Sequence, residues 1–464
     1  MPAETKSLNK EIITLAWPAV LQTLVRSSVP IIDSYWIGKL GPEFLASITV
    51  GSFLSWGVFA LGELLSIGTN SLVAQSVGAK QEDTTKYIAT NNLITSLFYG
   101  LLIAVVIIPL LPLLYNFTNL DAEKSILANM YLFPLLIGFP ALLLFETSNA
   151  IFRGNGDTQT PFRLLVIAVI LKMTLCPILI FGLHDRFQLG MSGASISTVL
   201  SYGIAFIIGF YLLKKRTLIL KIRNKFLRFI RDIKYNWNII KETIKIGIPI
   251  SAEGLYFVMI YVIISRFVSD FGTVGLAALG IGHRSEAIPY QMSEGFSITA
   301  TIIVGQCIGA ANPERAEKAA WRVLTFSWLP LILYGALLFF GASWVAGIFT
   351  DDIAVIETAK VYNMIAAFSI FFASSEAVFT GAFAGAGNSV PPLMISLPIT
   401  ALRIPLCVIF APIYGMNGIW IAIFTTTIIK GVIIAIWFKR GKWKERKFAL
   451  AKQNPMEFVD IHLE

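Results

Sequence analysis

Val73-Ala-Gln-Ser-Val-Gly-Ala79 and Val304-Gly-Gln-Cys-Ile-Gly-Ala310 are one short segment written twice, 231 residues apart. Toward the N-terminus the same offset carries Glu63 onto Glu294, Gly41 onto Gly272 and Pro18 onto Pro249. In the other direction Phe152-x-Gly154-x-Gly156 falls on Phe383-x-Gly385-x-Gly387, Pro161 on Pro392 and Cys176 on Cys407. An offset held without gaps from the first apolar segment to the fifth marks one unit present twice. Two similar membrane halves are a recurrent plan of secondary transporters, whose substrate site lies between the repeats near the bilayer midplane. The repeat points to transport before any motif is weighed.

Composition places the unit in a membrane. Of 464 residues, 56% are hydrophobic and 14% charged, more apolar surface than a soluble chain can hide. An apolar run of about 20 residues crosses the hydrocarbon core as a helix. Twelve runs qualify, at about 12–38, 45–75, 87–115, 127–152, 162–184, 190–213, 240–269, 274–306, 320–348, 356–382, 392–412 and 416–438. They are continuous and too long for the alternating strands of a barrel. The fold class expected is therefore all-α: an integral membrane protein with twelve transmembrane helices. Met1 to Lys10 is polar and a full-length span follows, so no cleavable signal is expected.

The net charge of +9 is distributed by topology rather than for nucleic acid. Lys214, Lys215, Arg216, Lys221, Arg223, Lys225, Arg228, Arg231 and Lys234 sit in one connection, between spans six and seven. Lys439, Arg440, Lys442, Lys444, Arg446 and Lys447 follow the last span, and Arg315, Lys318 and Arg322 the eighth. The odd-to-even connections carry few cations. The positive-inside rule then puts both termini and the central loop in the cytoplasm of a cell (inner) membrane protein, which needs an even number of spans. The basic loops are read as attracting anionic lipid.

Four segments follow: a six-helix half at 1–213, a basic linker at 214–235, a second six-helix half at 236–448 and a tail at 449–464. Phe226, Leu227, Phe229 and Ile230 interleave with the linker's cations, the pattern of an amphipathic helix on the inner leaflet. Six spans per half is even, so both halves enter in the same orientation. The polar connections Gly154 to Pro161 and Gly385 to Pro392 are read as tight turns, with glycines for positive φ and proline to start the next helix. Cys176, Cys307 and Cys407 lie in apolar runs without a CxxC, and His184, His283 and His462 are scattered. There is no GxxxxGK[ST]. No cofactor or metal is expected, and the driving energy falls to an ion gradient or another subunit.

At Asp33-Ser-Tyr-Trp-Ile-Gly-Lys-Leu-Gly41, Val73–Ala79, Phe152-Arg-Gly-Asn-Gly-Asp-Thr-Gln-Thr-Pro161, Val304–Ala310 with Asn312-Pro-Glu-Arg-Ala316, and Gly381-Ala-Phe-Ala-Gly-Ala-Gly387, the chain resembles the multidrug and toxic compound extrusion (MATE) family. That family lies within the larger group that also holds lipid-linked sugar flippases. The resemblance spans essentially the whole membrane region. It implies two pseudo-symmetric six-helix lobes in a V shape. It also implies antiport of amphipathic, often cationic compounds out of the cytoplasm in exchange for H⁺ or Na⁺.

Charges inside the spans are the functional candidates. A charge at mid-bilayer costs roughly 2.5–3.5 kcal/mol. Arg26, Lys172, Arg266, Arg284 and Arg403 facing lipid would together cost about 12–17 kcal/mol. They are expected to face the lobe interiors or the cleft and to be paired, with Asp33, Glu63, Glu146, Glu253, Glu286, Glu294 and Glu376 as candidate partners. The resemblance assigns the acid on span one to the first lobe's ion-coupling site, with an Asn and an Asp on span five and a Thr on span six. Asp33 and Thr198 match; Lys172 and Cys176 stand in the span-five positions and do not. An ammonium in place of oxygen ligands should abolish Na⁺ binding. Burial favours a neutral acid and a nearby ammonium favours a carboxylate. An intact Asp33–Lys172 pair therefore stays ionised, and separating it lets Asp33 take a proton. Two readings stand side by side: a proton exchange built on breaking this pair, and a permanent brace.

The second half offers another site. Lys172 maps onto Arg403 and Gln22 onto Glu253, while Asp33 maps onto Ile264. In another branch of the family the coupling acids lie on spans seven and ten, and Glu253 and Glu376 lie on those spans, Glu376 about a turn out of register. Tyr256, Phe257 and Tyr261, with Tyr35 and Trp36, can line a cleft for aromatic cations or serve as interfacial anchors. Arg26, Arg284 or Arg403 facing the cleft would favour an anionic or zwitterionic solute instead. The reading taken is a secondary antiporter for multidrug efflux, exporting small amphipathic organic compounds against H⁺ in preference to Na⁺ by alternating access. The alternative is a flippase for lipid-linked sugar or phospholipid. An enzyme is not expected, since no span clusters nucleophilic or acid–base residues. Two lobes complete the pseudo-symmetric unit, so a monomer suffices.

Overall fold

The computed structural model describes residues 3–117, 122–182, 188–220, 236–446, 448 and 450. Most of the basic linker (221–235), the tail from 451, His184 and Arg186 lie outside the described residues, so the expectation of an amphipathic linker helix falls there too. The described residues are helical, without a strand. In chain order the helices are α1 (Ala3–Arg26), α2 (Ser28–Gly38), α3 (Pro42–Gly78), α4 (Glu82–Phe117), α5 (Ala122–Ile137), α6 (Phe139–Gly154), α7 (Gln159–Phe181) and α8 (Met191–Lys215). Then come α9 (Trp237–Ser269), α10 (Gly272–Gly309), α11 (Pro313–Phe340), α12 (Ala342–Gly347), α13 (Ile353–Gly385), α14 (Val390–Ala401), α15 (Arg403–Tyr414) and α16 (Met416–Lys439).

Ten stretches among the described residues are long and apolar enough to cross a membrane. One runs through α1 and α2, and another through α14 and α15. The α5–α6 pair, bent by 53°, makes an eleventh when taken as one. Helix α10 has 38 residues, length enough for a twelfth, but carries His283, Arg284, Glu286 and Glu294 and is more polar. The α5–α6 bend has a local cause. Pro134 and Pro140 flank Gly138, where a Cβ would run into Val199 of α8. Large apolar side chains such as Val105, Leu333 and Phe340 are exposed, as suits a lipid solvent.

The two glycine turns have the same geometry. Gly156 and Gly387 take φ of 82° and 72°. The next amides, of Asp157 and Asn388, bond back to the carbonyls of Phe152 and Phe383 at 3.0 and 2.9 Å. This is a left-handed helix stop of the kind glycine permits. Asn312 caps α11 through the amide of Arg315, and Asp352 caps α13 through that of Ala354.

Two compact units divide the chain. Val25–Gly247 forms one with Phe448–Glu464; Ile248–Lys447 forms the other with Met1–Leu24. Packing thus draws its boundaries inside α1 and α9. Close helix approach explains this. A Cβ at Gly247 would strike the Leu64 carbonyl, and one at Gly68 would strike that of Thr243, so α9 begins against α3. Gly295 of α10 lies against Val20 of α1, and Thr23 donates to the Gln291 carbonyl at 2.6 Å. The Val25–Gly247 unit is cored by Leu132, Phe139, Phe145 and Phe152. The other has two cores, one around Phe379, Phe383 and Phe438, the second around Tyr362, Trp420 and Phe424.

Candidate functional site

In the Val25–Gly247 unit, α2, α5, α7 and α8 converge on one buried ion pair. Lys172 Nζ lies 2.7 Å from Asp33 Oδ1, with side-chain exposures of 0% and 3%. Tyr131 Oη donates to Asp33 Oδ2 at 3.0 Å. Lys172 also donates to Thr198 Oγ1, whose own proton goes to the Ala194 carbonyl. The ammonium therefore holds two helices to the carboxylate's helix, and both carboxylate oxygens have a partner. Cys176, one turn beyond Lys172, is buried and free. Asp33 and Thr198, which match the family pattern, and Lys172, which departs from it, thus meet at one point. Tyr131 was missed, although its partner at the repeat offset, Tyr362, was a signal for it.

These residues do not fit a Na⁺ ion. Hard cations take several oxygen ligands, and here a fixed positive charge stands at hydrogen-bond distance from the carboxylate.

Arg26, at the end of α1, bridges Glu63 of α3 at 3.0 Å and Glu146 of α6 at 3.8 Å. Both acids were among the expected partners. The expectation that all five embedded cations face inward and are paired needs correcting. Arg266 and Arg284 are exposed, and neither makes an ion pair among the described residues. Arg266 lies in the last turn of α9, where a long side chain can carry its charge to the interface. The Arg284 guanidinium lies 5.9 Å from the centre of the Phe349 ring.

The Ile248–Lys447 unit holds a second charged cluster. Lys430 of α16 pairs with Glu376 of α13 at 2.6 Å. Glu253 of α9 lies within hydrogen-bonding reach of Glu376 and of Ser396. Gly431 lets α16 press on the Phe372 carbonyl of α13, which brings Lys430 level with Glu376 one turn on. Lys430 is a further cation inside a span that the sequence reading passed over. An acid pair served by one cation has one negative charge in excess.

Arg403 of α15 is 2% exposed. Its Nε and Nη2 donate to Thr426 and Thr427 at 2.8 and 3.0 Å. Its guanidinium faces the Phe257 and Tyr261 rings at 5.7 and 5.3 Å. These two rings pack together at 4.5 Å, and Tyr261 meets His283 edge-on at 4.7 Å. Tyr256 packs half-buried against the Tyr362 core. Tyr35 is exposed, with the Lys39 ammonium over it and Trp36. Among the described residues no group of three His, Cys, Asp or Glu side chains forms a metal site.

A membrane bundle built twice, with a buried acid–ammonium pair in one unit and an acid pair in the other, defines a multi-pass transporter. The MatE family model matches residues 18–178 and again 249–409, at the spacing of the internal repeat, and the chain belongs to that family of membrane transporters. It is 25% identical over 447 residues to a protein named probable multidrug resistance protein NorM from Thermotoga maritima, covering 96% of this chain and 95% of that one. It is 24% identical to a protein of Shewanella oneidensis named FAD transporter, covering 92% and 93%. Its fold matches a solved structure described as the outward-facing conformation of a multidrug resistance MATE family transporter of the MOP superfamily. There the TM-score is 0.86 at 23% identity, covering 95% of this chain and 97% of that one.

Proposed function

We propose that the protein is a secondary antiporter that exports small amphipathic organic compounds from the cytoplasm in exchange for H⁺. The observation that carries the choice of ion is the Lys172 ammonium, hydrogen-bonded between Asp33 and Thr198 where oxygen ligands would be needed for Na⁺. Breaking the pair as the unit bends would let Asp33 accept a proton from water, and reforming the pair with Lys172 returns that proton to water. Glu253, Glu376 and Lys430 form a second group competent to exchange a proton. Arg26, Tyr256, Phe257, Tyr261, Arg284 and Arg403 remain the substrate contacts proposed from sequence. Multidrug relatives support the substrate class; the relative named FAD transporter and the buried guanidinium keep organic anions within it. The positive loops support a cell-membrane location with both termini cytoplasmic and anionic lipid at the basic segments.

The test is efflux of a fluorescent organic cation from proteoliposomes, under a pH gradient and separately under a Na⁺ gradient, with wild type and Asp33→Asn. The expected result is efflux driven by the pH gradient alone and lost in the variant. Efflux driven by Na⁺ overturns the ion assignment. Proton-driven efflux that survives in a folded Asp33→Asn protein moves coupling to Glu253 and Glu376.

A further inference from the structure

In the Ile248–Lys447 unit, Glu286 and Tyr362 have no role in that reading, and they lie in one cluster with Arg403. Tyr362 stands at the repeat position of Tyr131, and Arg403 at that of Lys172. The repeat position of Asp33 is Ile264, fully buried and apolar. Tyr362 nevertheless donates its hydroxyl to a carboxylate, Glu286 Oε2, at 2.7 Å. The acid arrives from a different helix, α10. Gly282, one turn before Glu286, makes this possible: a Cβ there would strike the Tyr362 ring, so the bare backbone lets the ring lie against α10. Trp420 and Phe424 hold the ring edge-on from the other side, at 4.9 and 5.0 Å.

The cation of this cluster is in place but apart. Arg403 Nη1 is buried without a hydrogen-bond partner, and no ion pair joins Glu286 to any cation among the described residues. Each unit therefore contains an acid, a tyrosine that donates to it and a buried cation on the repeat-equivalent helix. In the Val25–Gly247 unit acid and cation touch; in the other they do not. The remaining titratable groups around Glu286 are Tyr261 of α9, His283 of α10 and Tyr334 of α11, whose hydroxyl donates to the Ser285 carbonyl at 2.8 Å.

We propose that Glu286 is a proton-carrying acid and the functional counterpart of Asp33, exchanging between a neutral form held by Tyr362 and an ionised form paired with Arg403. The proton enters from water as the carboxylate leaves the guanidinium, and returns to water when the pair closes. A lone hydrogen bond from a phenol stabilises a half-buried carboxylate less than a guanidinium does, so separation from Arg403 favours the protonated form. This site goes beyond the Asp33–Lys172 exchange and does not depend on it.

The test is infrared difference spectroscopy of the full-length protein in lipid between acid and neutral pH, following carboxylic-acid carbonyl bands. Glu286→Gln should remove a band that Asp33→Asn keeps. Tyr362→Phe should shift that band by removing its hydrogen bond. Arg403→Gln should move its titration to higher pH, because the ionised form loses its partner. A Glu286→Gln spectrum identical to wild type overturns the proposal, as does a Tyr362→Phe spectrum with every band unmoved. The Tyr362→Phe arm decides if Glu286→Gln does not fold. Absence of pH-driven efflux with the Glu286 band present would instead fault the transport reading and leave this site standing.

Discussion

Lys172 and Asp33 make a 2.7 Å ion pair from which water is excluded on both sides. A buried pair is a poor source of net stability, because desolvation opposes the attraction, yet removing one partner leaves a buried charge. Asp33→Asn or Lys172→Met alone should lower stability by about 3–5 kcal/mol. Asp33→Leu combined with Lys172→Met should regain most of that loss while abolishing pH-driven efflux. Thermal unfolding in detergent, set beside proteoliposome efflux, checks both halves. Additive losses in the double variant would mean that the two side chains do not act as a pair.

In the proposed exchange, the Lys172 ammonium is what excludes Na⁺. The family resemblance places an Asn and an Asp where Lys172 and Cys176 stand. Lys172→Asn with Cys176→Asp should therefore restore oxygen ligands beside Asp33 and Thr198. Na⁺ should raise the melting temperature of this variant and leave wild type unchanged, since a ligand that binds only the folded state stabilises it. A Na⁺ response in wild type would contradict the reading of Lys172.

Gly247 allows α9 to touch the Leu64 carbonyl of α3. Gly247→Ala should cost about 1–3 kcal/mol through overpacking. Gly203, with open space around it, serves as the control: Gly203→Ala should be neutral or slightly stabilising. Melting temperatures of the two variants in the same detergent provide the comparison.

Asp157, in the turn between α6 and α7, lies outside the spans. Burial opposes its ionisation, but hydrogen bonds from the Thr160 side chain and backbone, with the Arg216 ion pair, outweigh it and hold the carboxyl below its ordinary range. A carboxyl lowered in the folded state contributes stability above its unfolded value of about 3.9 and loses it as pH falls through the folded value. Asp157→Asn should thus be less stable than wild type at neutral pH. The difference should shrink as the medium is acidified below about pH 4. Unfolding curves across that range show it, and a gap independent of pH would assign the effect to packing.

The sequence by itself determined the membrane class, the doubled unit and the family, because these rest on the length and order of apolar runs and on an offset that survives any arrangement in space. It also brought Asp33, Lys172 and Thr198 together by resemblance. Only the tertiary structure decided which groups touch. Lys430 reaches Glu376 because Gly431 lets two helices close, and Glu286 receives the Tyr362 hydroxyl because Gly282 lets that ring lie on α10. The bounds of the compact units likewise fall inside α1 and at Gly247 in α9. A linear pattern tells which residues a helix carries. Which face meets which neighbour is set by close approach between backbones distant in sequence, and a single glycine can redirect it.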